Sequence, residues 1–274
     1  MGQKSKKKKV ALTARTADKL DLYQRSVQSP DVDVPLMERL HRRLVGKPLR
    51  TLREDFCGTA QICCEFVSRH RDNHAIGIDL DRPTLDWGRA RNVEPLKASQ
   101  QDRVSLIEDN VLNVRKPRAD LTCAMNFSYS VFKTRPELLV YMKAARRGLK
   151  KNGIFLMDLY GGPSAQEEEQ ETTRKRSFMY IWDQARFDPI THHTLCHIHF
   201  AFRDGSRLRK AFTYDWRLWT LPELQELMAE AGFHNVHVLW EGTDSETDEG
   251  NGVYRRKARG DADHAWISYV VGQA

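Results

Sequence analysis

The chain has 274 residues, 40% hydrophobic, 30% charged and 9% aromatic, with 44 Lys and Arg against 37 Asp and Glu and a formal net charge of +7. That length holds one large α/β domain, with or without an insertion, and leaves ample chain to bury a core. No apolar run approaches the roughly 20 residues a bilayer-spanning helix needs, and five cysteines, with Cys63 and Cys64 adjacent, make neither a disulfide framework nor a zinc-type Cys-x-x-Cys pair, which points to a reducing, cytoplasmic setting.

The first nine residues, MGQKSKKKK, carry five lysines with no apolar stretch behind them, so they do not read as a secretory signal. Residues 1–16 are expected to form a disordered basic arm, a segment able to reach a nucleic acid. Residues 17–47 read as a helical cap: ADKLDLYQRSVQ is periodic, SPDVDVP interrupts it, and LMERLHRRLV resumes with apolar Leu36, Met37, Leu40, Leu44 and Val45. From Pro48 short apolar runs alternate with helical stretches at the spacing of βα units. Strands are predicted over 49–55, 74–80, 104–109, 119–126 and 153–160, with helices over 61–70, 82–92 and 136–149, the last closed by a KKNG turn. Most of these strands are apolar runs rather than alternations, as expected when helices cover both faces of a parallel sheet.

After Gly161, Gly162 and Pro163 the texture changes. SAQEEEQETTRKR reads as a charged linker, and alternating segments around an RDGS hairpin predict an antiparallel insertion at about 177–217. A helix over 221–232, a strand at FHNVHVLWEG, a polar loop over 243–263 and a last strand at AWISYVV complete the chain. The expected fold is α/β: a doubly wound, mostly parallel seven-stranded sheet, Rossmann-like, with the antiparallel insertion after strand 5.

The stretch LREDFCGTAQICCEF carries the first functional signal. A strand enters a tight loop containing Gly58 and leaves it as a helix, which lets backbone N–H groups meet a ligand at the helix N-terminus. Asp79 ends the next strand and Asp109 the one after. A carboxylate at the second strand's end can accept from both hydroxyls of a ribose, and one at the third lies where an adenine would rest. A nicotinamide dehydrogenase would want G-x-G-x-x-G, and this loop supplies one glycine.

At these residues the sequence resembles the class I S-adenosylmethionine-dependent methyltransferases. Their first motif reads like DLGCGTG; EDFCGTA keeps Cys57, Gly58 and Thr59, puts Glu54 at the acidic position, and replaces the first glycine by Phe56 and the last by Ala60. The resemblance continues through Asp79, Asp109, NFSYS, RRGLKKNGIFLMDL and LMAEAGFHNVHVLW, and makes residues 48–274 a methyltransferase domain. It implies S-adenosylmethionine as cofactor. Asp79 and Leu80 would lie at the ribose, Asp109, Asn110 and Val111 at the adenine, and Glu54, Phe56, Cys57, Gly58 and Thr59 around the methionine part. Asn126, Phe127 and Ser128 would form the methyl-transfer rim.

Displacement at a sulfonium needs alignment and exclusion of water more than a catalytic dyad, and none is visible. The expected acceptor is a small molecule, lined by aromatic candidates Tyr23, Tyr129, Tyr160, Trp182 and Trp216 from the cap and the insertion; an RNA or protein acceptor reached by the lysine arm, or a cofactor binder without turnover, are the alternatives. His193, His197 and His199 share a strand face, but no carboxylate or thiol motif completes a metal shell. The charge is uneven: residues 1–53 hold 14 basic and 5 acidic side chains, whereas residues 54–274 total −2, so an anionic partner is to be sought at the N-terminal segment.

Overall fold

The structure, a computed structural model, describes residues 12–244 and 250–274. Met1 to Ala11 of the expected arm lie outside the described residues. Leu12 to Thr16 do not belong to such an arm: they turn against the insertion, with the Ala14 N–H donating to Ser206 Oγ at 2.9 Å.

Two helices open the described chain, α1 (Lys19–Val27) and α2 (Pro30–Val45). The break between them is shorter than the expected SPDVDVP. Pro30 starts α2, where its missing N–H costs nothing, and Asp31 and Asp33 complement the positive end of the helix dipole. Most of SPDVDVP is therefore helical, Pro35 included, and Val34, Leu36, Met37 and Leu40 form its buried face.

The βα units follow as β1 (Thr51–Asp55), α3 (Gln61–Arg69), β2 (His74–Asp79), α4 (Arg82–Gly88) with a π-helical turn over Arg89–Val93, the short α5 (Ala98–Gln101), β3 (Val104–Glu108), β4 (Ala119–Ala124), α6 (Arg135–Arg147) and β5 (Leu149–Gly161). Thr134 and Glu137 close a capping box at the start of α6, which fixes where that helix begins. KKNG is not a turn ahead of the strand. It lies inside β5, where Asn152 takes a left-handed φ of 61° and the pairing with β4 shifts register between Ala119 and Leu121.

The insertion is a separate four-stranded antiparallel sheet of β6 (Gln170–Arg174), β7 (Phe178–Phe187), β8 (His193–Phe202) and β9 (Arg207–Arg217), in that order. It begins ahead of residue 177, because the expected linker supplies β6. The chain returns through α7 (Leu221–Glu230), β10 (His234–Thr243), β11 (Gly250–Lys257) and β12 (Trp266–Gln273).

The large sheet runs β11-β10-β12-β5-β4-β1-β2-β3. Strands β3, β2, β1, β4 and β5 are parallel, and β12, β10 and β11 are added antiparallel. The doubly wound sheet is as expected, with an eighth strand, β11, in what reads as a polar loop. Both missed strands, β6 and β11, sit at sheet edges, and their exposed residues lack the apolar signature that marks a strand. The core lies in two layers. One packs α2 and α3 against the sheet around Met37, Leu52, Cys63 and Phe66; the other packs α6 and α7 around Tyr141, Met142, Phe155 and Leu227. Among the described residues no helix is long and apolar enough to cross a membrane.

Candidate active site

Strand β1 has β2 on one side and β4 on the other, so the chain winds in opposite directions from it. In such sheets ligands bind beyond the C-terminal strand ends at this reversal, and the residues expected to act gather there.

The loop from β1 to α3 carries left-handed backbone at Phe56, Gly58 and Ala60, with φ of 59°, 52° and 60°. These are the three positions at which the resembling motif has glycine. The conformation survives with one glycine, at the strain that a Cβ adds in this region. The Phe56 ring packs against Tyr141 and Phe132, with centroids at 5.5 and 6.1 Å. At the loop's centre the Gly58 N–H donates to Asp79 Oδ2 at 2.7 Å, and Asp79 Oδ1 accepts from the Asp81 N–H at 2.9 Å. Strand ends β1 and β2 are thus tied at the carboxylate expected to meet a ribose. Asp109, just beyond β3, accepts through Oδ1 from the Asn110 N–H and the Asn113 amide, and its Oδ2 has no hydrogen-bond partner among the described residues. Leu80 is exposed, whereas Val111 is buried in the core and its carbonyl accepts from Arg53.

The cap helix reaches this loop directly. Thr59 Oγ1 accepts from the Gln24 amide at 2.6 Å, with both residues buried, and the Asn92 amide donates to the Thr59 carbonyl at 2.8 Å. Asp18 caps α1 through the Leu20 N–H and also accepts from the Trp87 indole of α4 at 2.6 Å. The helix is therefore fastened to the βα units at both ends.

Several acids here are buried. Glu54 is 2% exposed and accepts from the Cys63 thiol at 3.2 Å; burial pushes its pKa up to about 8. Asp158, near the end of β5, is pushed up to about 7 by burial, although the Asn126 and Phe127 N–H groups donate to it at 2.7 and 3.0 Å. Those two bonds hold Asn126 and Phe127 in left-handed backbone, φ 56° and 58°, and so shape the rim after β4; the Ser128 hydroxyl donates to the Met125 carbonyl at 2.8 Å and closes the turn. Asp33 of α2 is pushed up to about 6, again mainly by burial. Beneath the loop, Arg53 and Asp55 form a fully buried ion pair at 2.6 Å, and Arg53 also donates to the Val111 and Val114 carbonyls. Burial pushes the Cys57 thiol well up, so it is not a nucleophile in waiting.

A cavity of about 480 Å³ lies between this rim and the four-stranded sheet. Asn126 and Phe127 line one side, and Tyr23 and Val27 come from the cap helix. Of the aromatic residues singled out in the sequence, Tyr23, Tyr160, Trp182 and Trp216 line it. Tyr129 does not: it is fully buried below the rim, its hydroxyl donating to the Asp158 carbonyl at 2.7 Å. Trp266 crosses the floor where a side chain on Gly161 would collide with its indole. Sequence reasoning missed Asp158, Tyr180, Tyr214, Glu169, Glu171 and Trp266. The period-2 spacing of Tyr180 with Trp182 and of Tyr214 with Trp216 was the available signal for the two aromatic pairs.

The histidines turn away from this cavity. His199 Nε2 lies 3.0 Å from the Asp183 carboxylate and His197 Nδ1 lies 3.0 Å from the Thr213 hydroxyl, on the sheet's other face. Among the described residues no group of three or more His, Cys, Asp or Glu is placed to hold a metal. A second cleft, of about 710 Å³, is lined by Arg39, Arg42, Arg50 and Arg69. It lies where the chain enters β1, away from the C-terminal strand ends, and Glu38, which pairs with Arg69, lines it too.

No family model and no curated protein matches the sequence. Among solved structures the chain is similar to an S-adenosylmethionine-dependent methyltransferase from Clostridium acetobutylicum ATCC 824, at 14% identity and a TM-score of 0.64, covering 93% of this chain and 96% of that one. It is similar to DesVI of Streptomyces venezuelae at 16% identity and a TM-score of 0.67, covering 93% and 98%. It is also similar to the sugar N-methyltransferase KedS8 from Streptoalloteichus sp ATCC 53650 at 16% identity and a TM-score of 0.63, covering 100% and 97%. The strand order, the loop after β1 and these similarities agree: the chain has the fold of the class I S-adenosylmethionine-dependent methyltransferases.

Proposed function

We propose that the protein is an S-adenosylmethionine-dependent methyltransferase whose acceptor is a small molecule held in the cavity under the four-stranded sheet. The observation that carries this reading is the position of that cavity, which shares Asn126 and Phe127 with the expected cofactor rim at the sheet's reversal. The residues present fit the cofactor. Glu54 and Asp158 are buried carboxylates with no cationic side chain paired to them among the described residues, and such groups suit a ligand that brings its own positive charge. Asp79 and Asp109 keep acceptor capacity for hydroxyl and amino donors.

When bound, the cofactor supplies a methyl group on a sulfonium, already activated toward in-line displacement. Asp79 holds the ribose end, Asp109 with Asn110 the adenine end, and the loop from Glu54 to Thr59 the methionine part. Asn126, Phe127 and Ser128 align the acceptor, while the cap helix and the four-stranded sheet keep water out. A cavity of about 480 Å³ is of the size that takes a small organic molecule. Solved structures of similar fold include an amino pentose methyltransferase and a sugar N-methyltransferase, which supports an acceptor of that kind. The net charge of −2 over residues 54–274 argues against a body wrapped around nucleic acid. Calorimetry tests the reading: Asp79→Ala abolishes S-adenosylmethionine binding, and retained affinity overturns the assignment.

A further inference from the structure

The lining of the acceptor cavity has a consistent chemistry. On β7, Tyr180, Trp182 and Gln184 alternate onto the face that meets the cavity, and on β9 Tyr214 and Trp216 do the same. The Tyr214 and Trp216 centroids are 4.3 Å apart, and Trp182 lies 6.0 and 6.3 Å from them, so three rings form one continuous aromatic wall. Facing into the same space, Glu169 and Glu171 stand two residues apart at the sheet edge, and neither has an ion-pair partner among the described residues. Glu241 adds a third carboxylate from β10, where it accepts from the Gly252 N–H and the Tyr254 hydroxyl. Among the described residues no Lys, Arg or His lines the cavity. The Tyr160 hydroxyl is buried there with no hydrogen-bond partner among the described residues, and burial raises its pKa, so it stays a protonated phenol with lone pairs to offer.

We infer that the cavity is built for a small organic cation, so that the acceptor carries an amine or ammonium group. The electron-rich faces of tryptophan and tyrosine attract a cation, and more strongly where water is excluded. Carboxylates at the rim add attraction over a longer range, and the Tyr160 oxygen accepts from an N–H that enters. A carboxylate or phosphate ligand would meet three like charges and no counter-charge. In a chain of net charge +7, a cavity whose charged lining among the described residues is all carboxylate is a local reversal of sign. That the cation is the methyl acceptor rests on the function proposed above; that the cavity prefers a cation does not.

The test uses the full chain and two isosteric probes, choline and 3,3-dimethylbutan-1-ol, which differ by the exchange of the quaternary nitrogen for carbon. Calorimetry is expected to give choline at least tenfold tighter binding. The preference falls to within threefold in Glu169→Gln/Glu171→Gln and in Trp182→Leu, and persists in Asp183→Asn, which alters the same strand on its other face. Equal or undetectable binding of the two probes overturns the inference, as does an unchanged preference in the glutamine pair. A parallel titration with S-adenosylmethionine separates the two readings. Cofactor binding without a choline preference overturns the cation site and leaves the methyltransferase, and a choline preference without cofactor binding does the reverse.

Discussion

Gln24 and Thr59, 35 positions apart in the chain, meet through an amide-to-hydroxyl hydrogen bond of 2.6 Å between two buried side chains. This bond makes the cap helix part of the β1–α3 loop, the loop proposed to hold the cofactor, rather than a cover laid over it. Gln24→Ala leaves Thr59 without its donor at a cost of about 0.5–1.5 kcal/mol. The expected result is a several-fold loss of S-adenosylmethionine affinity by calorimetry with an unchanged circular dichroism spectrum. Trp87→Phe, which frees Asp18 at the other end of α1, acts in the same direction.

The buried acids make stability and binding depend on pH in opposite senses. Glu54, Asp158 and Asp33 have folded-state pKa values raised to about 8, 7 and 6, so the folded protein holds protons that the unfolded chain gives up. The stability they contribute is fully present below the unfolded carboxyl pKa, near pH 4, and is lost as pH rises through 6 to 8. The cofactor-free Tm is expected to fall across that window, and Glu54→Gln to flatten its upper part. Binding of a cationic cofactor favours the ionised acids, so affinity rises over the same range. A Tm independent of pH between 5 and 8 would contradict the assignment.

The β1–α3 loop carries strain that glycine would relieve. Ala60 holds a φ of 60° without contributing a polar group, and Ala60→Gly removes about 1–2 kcal/mol of left-handed strain while adding about 0.5–1 kcal/mol of unfolded-state entropy. The net expectation in urea unfolding is a gain of up to ~1.5 kcal/mol. Phe56→Gly behaves differently: it forfeits the packing on Tyr141 and Phe132, and the protein loses stability.

Arg53 and Asp55 are both fully buried, and Tyr141 donates a further bond to Asp55 at 3.0 Å. Arg53→Ala strands the carboxylate and two carbonyls, and a loss of about 3–5 kcal/mol is expected. Arg53→Met with Asp55→Leu recovers only the part that comes from the unpaired carboxylate, because the Val111 and Val114 carbonyls and the Tyr141 hydroxyl still lose their partners. Chemical denaturation of the two variants distinguishes them.

The sheet was legible because its inner strands, such as HAIGIDL and GIFLMDLY, are apolar runs in a βα rhythm, and burial on both faces writes that pattern into sequence. Strands β6 and β11 were not, since QETTR and GNGVYRRK are edge segments selected for solvent. The left-handed turn after β1 was legible at Gly58, and the acids at the ends of β2 and β3 were legible as Asp79 and Asp109; the structure ties two of these together through the Gly58 N–H and the Asp79 carboxylate. Asp158 was hidden within an apolar strand, and its partners, the Asn126 and Phe127 N–H groups, are main-chain atoms that leave no residue signature. Tyr129 was misread because a tyrosine beside the rim can point up or down, and here its hydroxyl finds the Asp158 carbonyl below.

The arginine-rich cleft lies where the chain enters β1, and the cavity with its carboxylates lies beyond the C-terminal ends of β4 and β5. The cleft is only partly basic, since Glu38 also lines it and pairs with Arg69, whereas the cavity's charged lining among the described residues is all carboxylate. A cation approaching from solution is attracted toward the cavity's carboxylates before contact. Association of a cationic ligand should therefore slow as salt is added while its dissociation changes little.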